Sequence, residues 1–166
     1  MADLLSTYIT NATATPIVKG DAFESNSRLV EAIGVVTPAA DQADDTIMRM
    51  VRVPSNARIS QLMLCAADAT TGGAIDIGVY QTADNGSAVV DRDLFASALA
   101  LTGGPFNNSD QTFESGEYTY AESEKQLWEV LGLTADSKRE YDICCVVETV
   151  FNGGPTSISL KVRYVI

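Results

Sequence analysis

The chain has 166 residues, with 11 lysines and arginines against 22 aspartates and glutamates, a formal charge of −11, and no histidine. So acidic a chain repels nucleic-acid phosphates unless its few basic residues cluster. Without histidine it holds no Ser-His-Asp or Cys-His machinery and no imidazole metal ligand.

Residues 1–26 are rich in Thr, Ala and Asn and show little periodicity; Pro16 and Gly20 interrupt them. They read as an extended arm that is ordered by packing on something else. The start lacks a basic stretch followed by a long apolar run, so no Sec-type export signal is expected. The arm's apolar residues Leu4, Leu5, Tyr8, Ile9, Ile17 and Val18 have no evident partner inside a simple β-domain. They are the candidate residues for contact with another subunit.

From Ser27 the punctuation is that of a β-protein, and residues 27–166 are expected to form one domain. Strands are predicted over 27–36, 46–53 and 57–66, closed by Thr37-Pro38, Pro54-Ser55-Asn56 and Thr71-Gly72-Gly73. In the third, alternation puts Ile59, Met63 and Cys65 on one face and Leu62, Leu64 and Ala66 on the other, so both faces should be covered. Strict alternation also separates Arg49 from Arg52. Next, Ile75, Ile77 and Val79 alternate with Asp76, Gly78 and Tyr80 before the turn Asp84-Asn85-Gly86.

Two short helices are expected. Residues 91–101 place Leu94, Ala98 and Leu101 at i, i+4 and i+7, with Asp91 able to cap and Gly103-Gly104 to stop the helix. Residues 121–131 carry Leu127, Trp128 and Leu131 on one side, with Gly132 after them. Neither is long enough to stand alone, so each should be a lid over the end of a sheet. Finally Tyr141, Ile143, Cys145 and Val147 alternate, Asn152-Gly153-Gly154 turns the chain, and Ile158 to Ile166 alternate again. That pattern predicts a hairpin whose last strand has one apolar and one polar face. Strands without α/β alternation predict an all-β fold: an antiparallel β-sandwich of jelly-roll type with two short helices in its loops.

Chemistry is sparse. No Gly-Lys dipeptide, G-x-G-x-x-G or G-x-S-x-G occurs. The three cysteines, Cys65, Cys144 and Cys145, suit buried free thiols better than a disulfide framework. The carboxylates Glu114, Glu117, Glu122 and Glu124 fall in a turn and at a helix start, where solvation and the helix dipole suffice to explain them. Asp41, Asp44 and Asp45, and separately Asp91 and Asp93, do not match a calcium loop. No catalytic residue, cofactor or metal site is therefore expected.

Four segments resemble a family of small tailed-bacteriophage virion proteins, the jelly-roll capsid decoration (cement) and head-associated proteins. They are Val53-Pro54-Ser55-Asn56-Ala57-Arg58-Ile59, Asp91-Arg92-Asp93-Leu94-Phe95-Ala96-Ser97-Ala98, Leu127-Trp128-Glu129-Val130-Leu131-Gly132-Leu133 leading to Tyr141-Asp142-Ile143, and Ile158-Ser159-Leu160-Lys161-Val162-Arg163-Tyr164-Val165. The resemblance implies a homotrimer, made in the host bacterial cytoplasm, that binds the major capsid protein on the outer surface of the virion. It carries over no catalytic residues; the acidic charge and the short apolar runs, for their part, lead to no expected nucleic-acid or membrane partner. Two other expectations are a head-to-tail connector or tail-associated β-protein, and a carbohydrate-binding β-sandwich module. The second would use exposed aromatics from the set Tyr80, Phe113, Tyr118 and Tyr120, with Tyr118 and Tyr120 on one strand face.

Overall fold

The computed structural model describes residues 28–67, 72–155 and 157–166. Eight strands form where β-branched and aromatic residues run between turn formers. They are β1 (Leu29–Val36), β2 (Ile47–Pro54), β3 (Arg58–Ala66), β4 (Ala74–Gln81), β5 (Val89–Ala100), β6 (Phe106–Asp110), β7 (Glu140–Thr149) and β8 (Ile158–Val165). Two single-turn helices, α1 (Tyr120–Ser123) and α2 (Leu127–Val130), lie between β6 and β7.

The strands make two antiparallel four-stranded sheets, β1-β8-β3-β6 and β2-β7-β4-β5. Among the described strands, only β4 and β5 are both consecutive in the chain and hydrogen-bonded to each other; every other step between successive strands changes sheet. That order is the rolled hairpin of a jelly roll, and the all-β sandwich expected from the sequence is what forms. Ile59, Leu62, Leu64, Leu160 and Val162 of the first sheet meet Ile75, Ile77, Val79, Ile143, Cys145 and Val147 of the second in one buried core. No described helix is long and apolar enough to cross a membrane.

Four local expectations are corrected. The predicted helix over 91–101 is most of strand β5, and Asp91 caps nothing. Its helix-like spacing arises because β5 pairs β4 with three irregularities, which bury Leu94, Phe95 and Ala96 in succession and turn Ala98 to a φ of 49°. The predicted helix over 121–131 is two separate turns, each closed by its own capping box, Thr119 with Glu122 and Gln126 with Glu129. β7 and β8 are not a hairpin: β7 pairs β2 and β4, while β8 pairs β1 and β3, so the Asn152-Gly153-Gly154 loop carries the chain between sheets. Lastly, an irregularity between Ile59 and Gln61 brings Ile59 onto the core face with Leu62, Leu64 and Ala66, leaving Met63 and Cys65 half-buried outside.

The helices close one end of the sandwich, as lids. The amides of Leu127 and Trp128 donate to the carbonyls of Ala57 and Ser55, 2.8 and 3.0 Å away, which fixes α2 on the β2–β3 turn. Buried Tyr118 stacks among Phe95 and Phe113, with ring centroids 4.9 and 5.9 Å away, and its hydroxyl donates to the Ile59 carbonyl at 2.7 Å.

Candidate functional site

The two outer faces of the sandwich differ in what they offer. On the β2-β7-β4-β5 sheet, register sets Asp76 beside Val146, Gly78 beside Cys144 and Tyr80 beside Asp142. Tyr80, Cys144 and Val146 are at most 1% exposed although they lie outside the main core. Two arginine–carboxylate groups flank them. Asp142 accepts from Arg49 Nη1 and Arg52 Nε, both at 2.8 Å, and Arg49 also donates to the Gln81 carbonyl. Arg49 and Arg52 share this face, against the alternation rule, because Met50 is an extra residue in the β2–β7 register. Burial pushes the Asp142 carboxyl up, and the hydrogen bonds from Arg52 and Arg49 outweigh it and hold the group below its ordinary value. In the second group Arg92 Nε donates to Asp76 at 2.6 Å and Nη1 to Asp45 at 2.5 Å, while Asp76 also accepts the Ala98 amide at 2.8 Å. These bonds hold the Arg92 guanidinium firmly charged.

The outer face of the β1-β8-β3-β6 sheet is open. A polar row crosses it strand by strand: Glu31 accepts from Arg163 at 2.7 Å, Arg163 donates to Gln61 at 3.0 Å, and Gln61 donates to Asp110 at 3.1 Å. Lys161 lies 3.8 Å from the other Glu31 oxygen. The Arg163 hydrogen bond, helped by Lys161, lowers the Glu31 carboxyl from its ordinary value. Around this row Leu29, Ile33 and Val35 stand 62%, 59% and 65% exposed, all on β1. β1 is an edge strand whose only described partner is β8.

The sequence-predicted contact residues Leu4, Leu5, Tyr8, Ile9, Ile17 and Val18 fall outside the described residues. The predicted acids are drawn into local structure: Glu122 completes the α1 capping box and Glu114 accepts the Ser97 amide at 2.9 Å. Glu117 joins Asp91 and Asp93, the three having carboxylate oxygens within 4.8 Å of one another. Asp45 is spent on Arg92, and Asp44 on the Asp45 amide. The aromatic set forms no exposed platform: Tyr80 and Tyr118 are 1% exposed, and only Tyr120 stands out at 79%, with its ring 4.5 Å from that of Phe113. Neither Tyr118 nor Tyr120 lies in a strand. The exposed β1 row was missed because Glu31 is the one polar residue on its outer face, too little beside Leu29, Ile33 and Val35 to set that face apart from Val30, Ala32 and Val36.

No family model matches the chain, and no curated protein matches it. Among solved structures, it is similar to a chain described as the capsid of Ralstonia phage GP4, with a TM-score of 0.55 and 18% identity, over 83% of this chain and 84% of that one. A looser likeness is to a chain from the capsid asymmetric unit of cyanophage Pam1, with a TM-score of 0.49, 13% identity, and 84% and 86% coverage. The first of these shows that the two chains share a fold along most of their lengths.

Proposed function

We propose that this chain is a structural protein of a phage virion that binds the outer surface of the capsid and cements neighbouring major capsid subunits, as a homotrimer. The observation that carries the reading is the jelly roll shared, over 83% of this chain, with a chain of the Ralstonia phage GP4 capsid. The molecule's chemistry is consistent with a binding role. Its buried carboxylates Asp142 and Asp76 are bound by arginines, and exposed Leu29, Ile33 and Val35 make an apolar row on a sheet edge. Binding, and no reaction, is the mechanism: burial of apolar area across subunit boundaries would oppose expansion of the shell by packaged DNA. A charge of −11 favours the outside, since the inner wall faces DNA phosphates. The arm, with Leu4, Leu5, Tyr8, Ile9, Ile17 and Val18, supplies contacts between subunits.

The test is to mix purified protein with undecorated shells and image them by negative stain, with copy number read from a quantitative gel. Ordered density at many symmetric sites, with copies in proportion to capsid subunits, is the expected result. No binding at high protein concentration overturns the proposal. A ring of few copies at one vertex replaces it with the connector reading.

A further inference from the structure

We propose that the free edge of β1 receives an extended segment from the N-terminal arm of a second copy of this chain, which adds a strand to the β1-β8-β3-β6 sheet. This deepens the proposed function and rests on its assignment of the arm to subunit contact.

The edge itself is the starting observation. Arg28 and Ile166 exchange both backbone hydrogen bonds, at 3.1 and 3.2 Å, and the β1–β8 register runs without a shift to Val36. Antiparallel alternation then directs the amides and carbonyls of Leu29, Glu31, Ile33 and Val35 away from β8. The same four residues carry the exposed side chains of β1. One strand thus presents both a row of ladder groups and a row of apolar side chains, the two parts that strand addition uses. The other three edges are blunted. β2 has a register shift and ends at Pro54, β5 has three irregularities, and β6 has five residues with Asn108 at a φ of 57°. Proteins that leave an edge long, regular and apolar leave a template for pairing.

The occupant follows from the chain outside the described residues. Residues 6–10 are its best strand formers, with Thr7, Tyr8, Ile9 and Thr10 and no charge. The residues nearest Arg28 include Gly20, Asp21 and Glu24, which are poor ones. Between residue 10 and Arg28 the chain can span about 56 Å when extended. A domain of this size is roughly 40 Å across, so residues 6–10 can reach the β1 edge of a neighbour. Glu31, the one charge on that edge row, is already matched by Arg163 and Lys161, so an uncharged strand meets no net repulsion there.

Ile33→Pro provides the test, because its amide faces away from β8 and its loss costs no bond within the sheet; Ile33→Lys serves if the proline variant does not fold. Tyr8→Pro alters the other partner. Sedimentation of the full chain should show self-association, weakened at least about tenfold by either β1 variant and by Tyr8→Pro. Hydrogen exchange at Leu29, Glu31, Ile33 and Val35 should slow at least about tenfold as the chain assembles. Association unchanged in the variants, or edge amides that exchange freely in the assembly, overturns the inference. So does a monomer whose edge amides are already protected, which means the arm folds back on its own β1. Shell binding is read separately. Variants that keep self-association, in a protein that loses shell binding when residues 1–26 are removed, sink this inference and leave the proposed function standing. Variants that lose self-association, in a protein that never binds shells, do the reverse.

Discussion

The two outer faces of the sandwich carry the same kinds of residue and use them in opposite ways. On the β2-β7-β4-β5 face the charged groups are pulled in: Asp142 and Asp76 have side chains only 6% and 5% exposed, each clasped by arginine, beside buried Tyr80, Cys144 and Val146. On the β1-β8-β3-β6 face the charged row lies out in solvent and the apolar residues of β1 stay exposed. A face that satisfies itself contributes to stability. A face that leaves apolar side chains and ladder groups unmatched is available to a partner. Structural cost and functional availability should therefore separate cleanly between the two.

The largest expected difference is in thiol reactivity, since each outer face holds one cysteine. Cys144 is buried, and burial pushes its thiol up to about 12, so it should react only through unfolding. Cys65 is half-buried on the open face, its Sγ accepting the Asn108 amide at 3.0 Å. Alkylation of the native protein, followed by mass spectrometry, should modify Cys65 on the order of 10³ times faster than Cys144. Comparable rates would mean that the second face is not closed.

Next in size is Gly78→Ala. A methyl group there would run into the backbone carbonyls of Asp91 and Arg92, where irregular β5 crosses over β4. Backbone cannot step aside as a side-chain tip can, so a loss of about 3 kcal/mol is expected in urea unfolding.

Asp142→Ala should cost about 2 kcal/mol. It removes the carboxylate that Arg49 and Arg52 share; Arg49 keeps the Gln81 carbonyl, and both are partly exposed, at 30% and 45%, so water replaces some of the loss. The folded Asp142 carboxyl titrates below its unfolded value. Its contribution is thus complete above the unfolded value of about 3.9 and is lost as pH falls through the lower folded value. The wild-type protein should lose stability on acidification below about pH 4, and Asp142→Ala should flatten that limb. An unchanged acid limb would assign it to other carboxylates, Glu31 and Asp110 among them, whose values are also lowered.

The same contrast explains what could be read from the sequence. β8 was legible in detail, because its register with β1 runs unbroken and its inside–outside alternation never changes phase. β3 on the same sheet breaks phase between Ile59 and Gln61, and there the two faces were misassigned. The closed face depends more heavily on register irregularities: one extra residue at Met50 in β2, and three shifts along β5, the largest between the Ile77–Ala96 and Val79–Asp91 pairs. That is why Arg49 and Arg52 read as opposed yet meet at Asp142, and why β5 imitated a helix. The β7–β8 loop shows a further limit. Asn152-Gly153-Gly154 encodes a turn, but whether the next strand pairs with β7 or crosses to the other sheet is decided by partners far along the chain.

The smallest effect is the most telling for function. Ile33→Lys replaces a side chain that is 59% exposed, on a strand whose bonds to β8 it does not touch. Unfolding free energy should change by less than about 0.5 kcal/mol. A surface residue that matters to a partner should show a strong association defect on this near-neutral background, whereas one that merely decorates the monomer should show none. A stability loss above about 1 kcal/mol would show that Ile33 supports the monomer's own packing, and the division between a closed face and an available one would then no longer hold at β1.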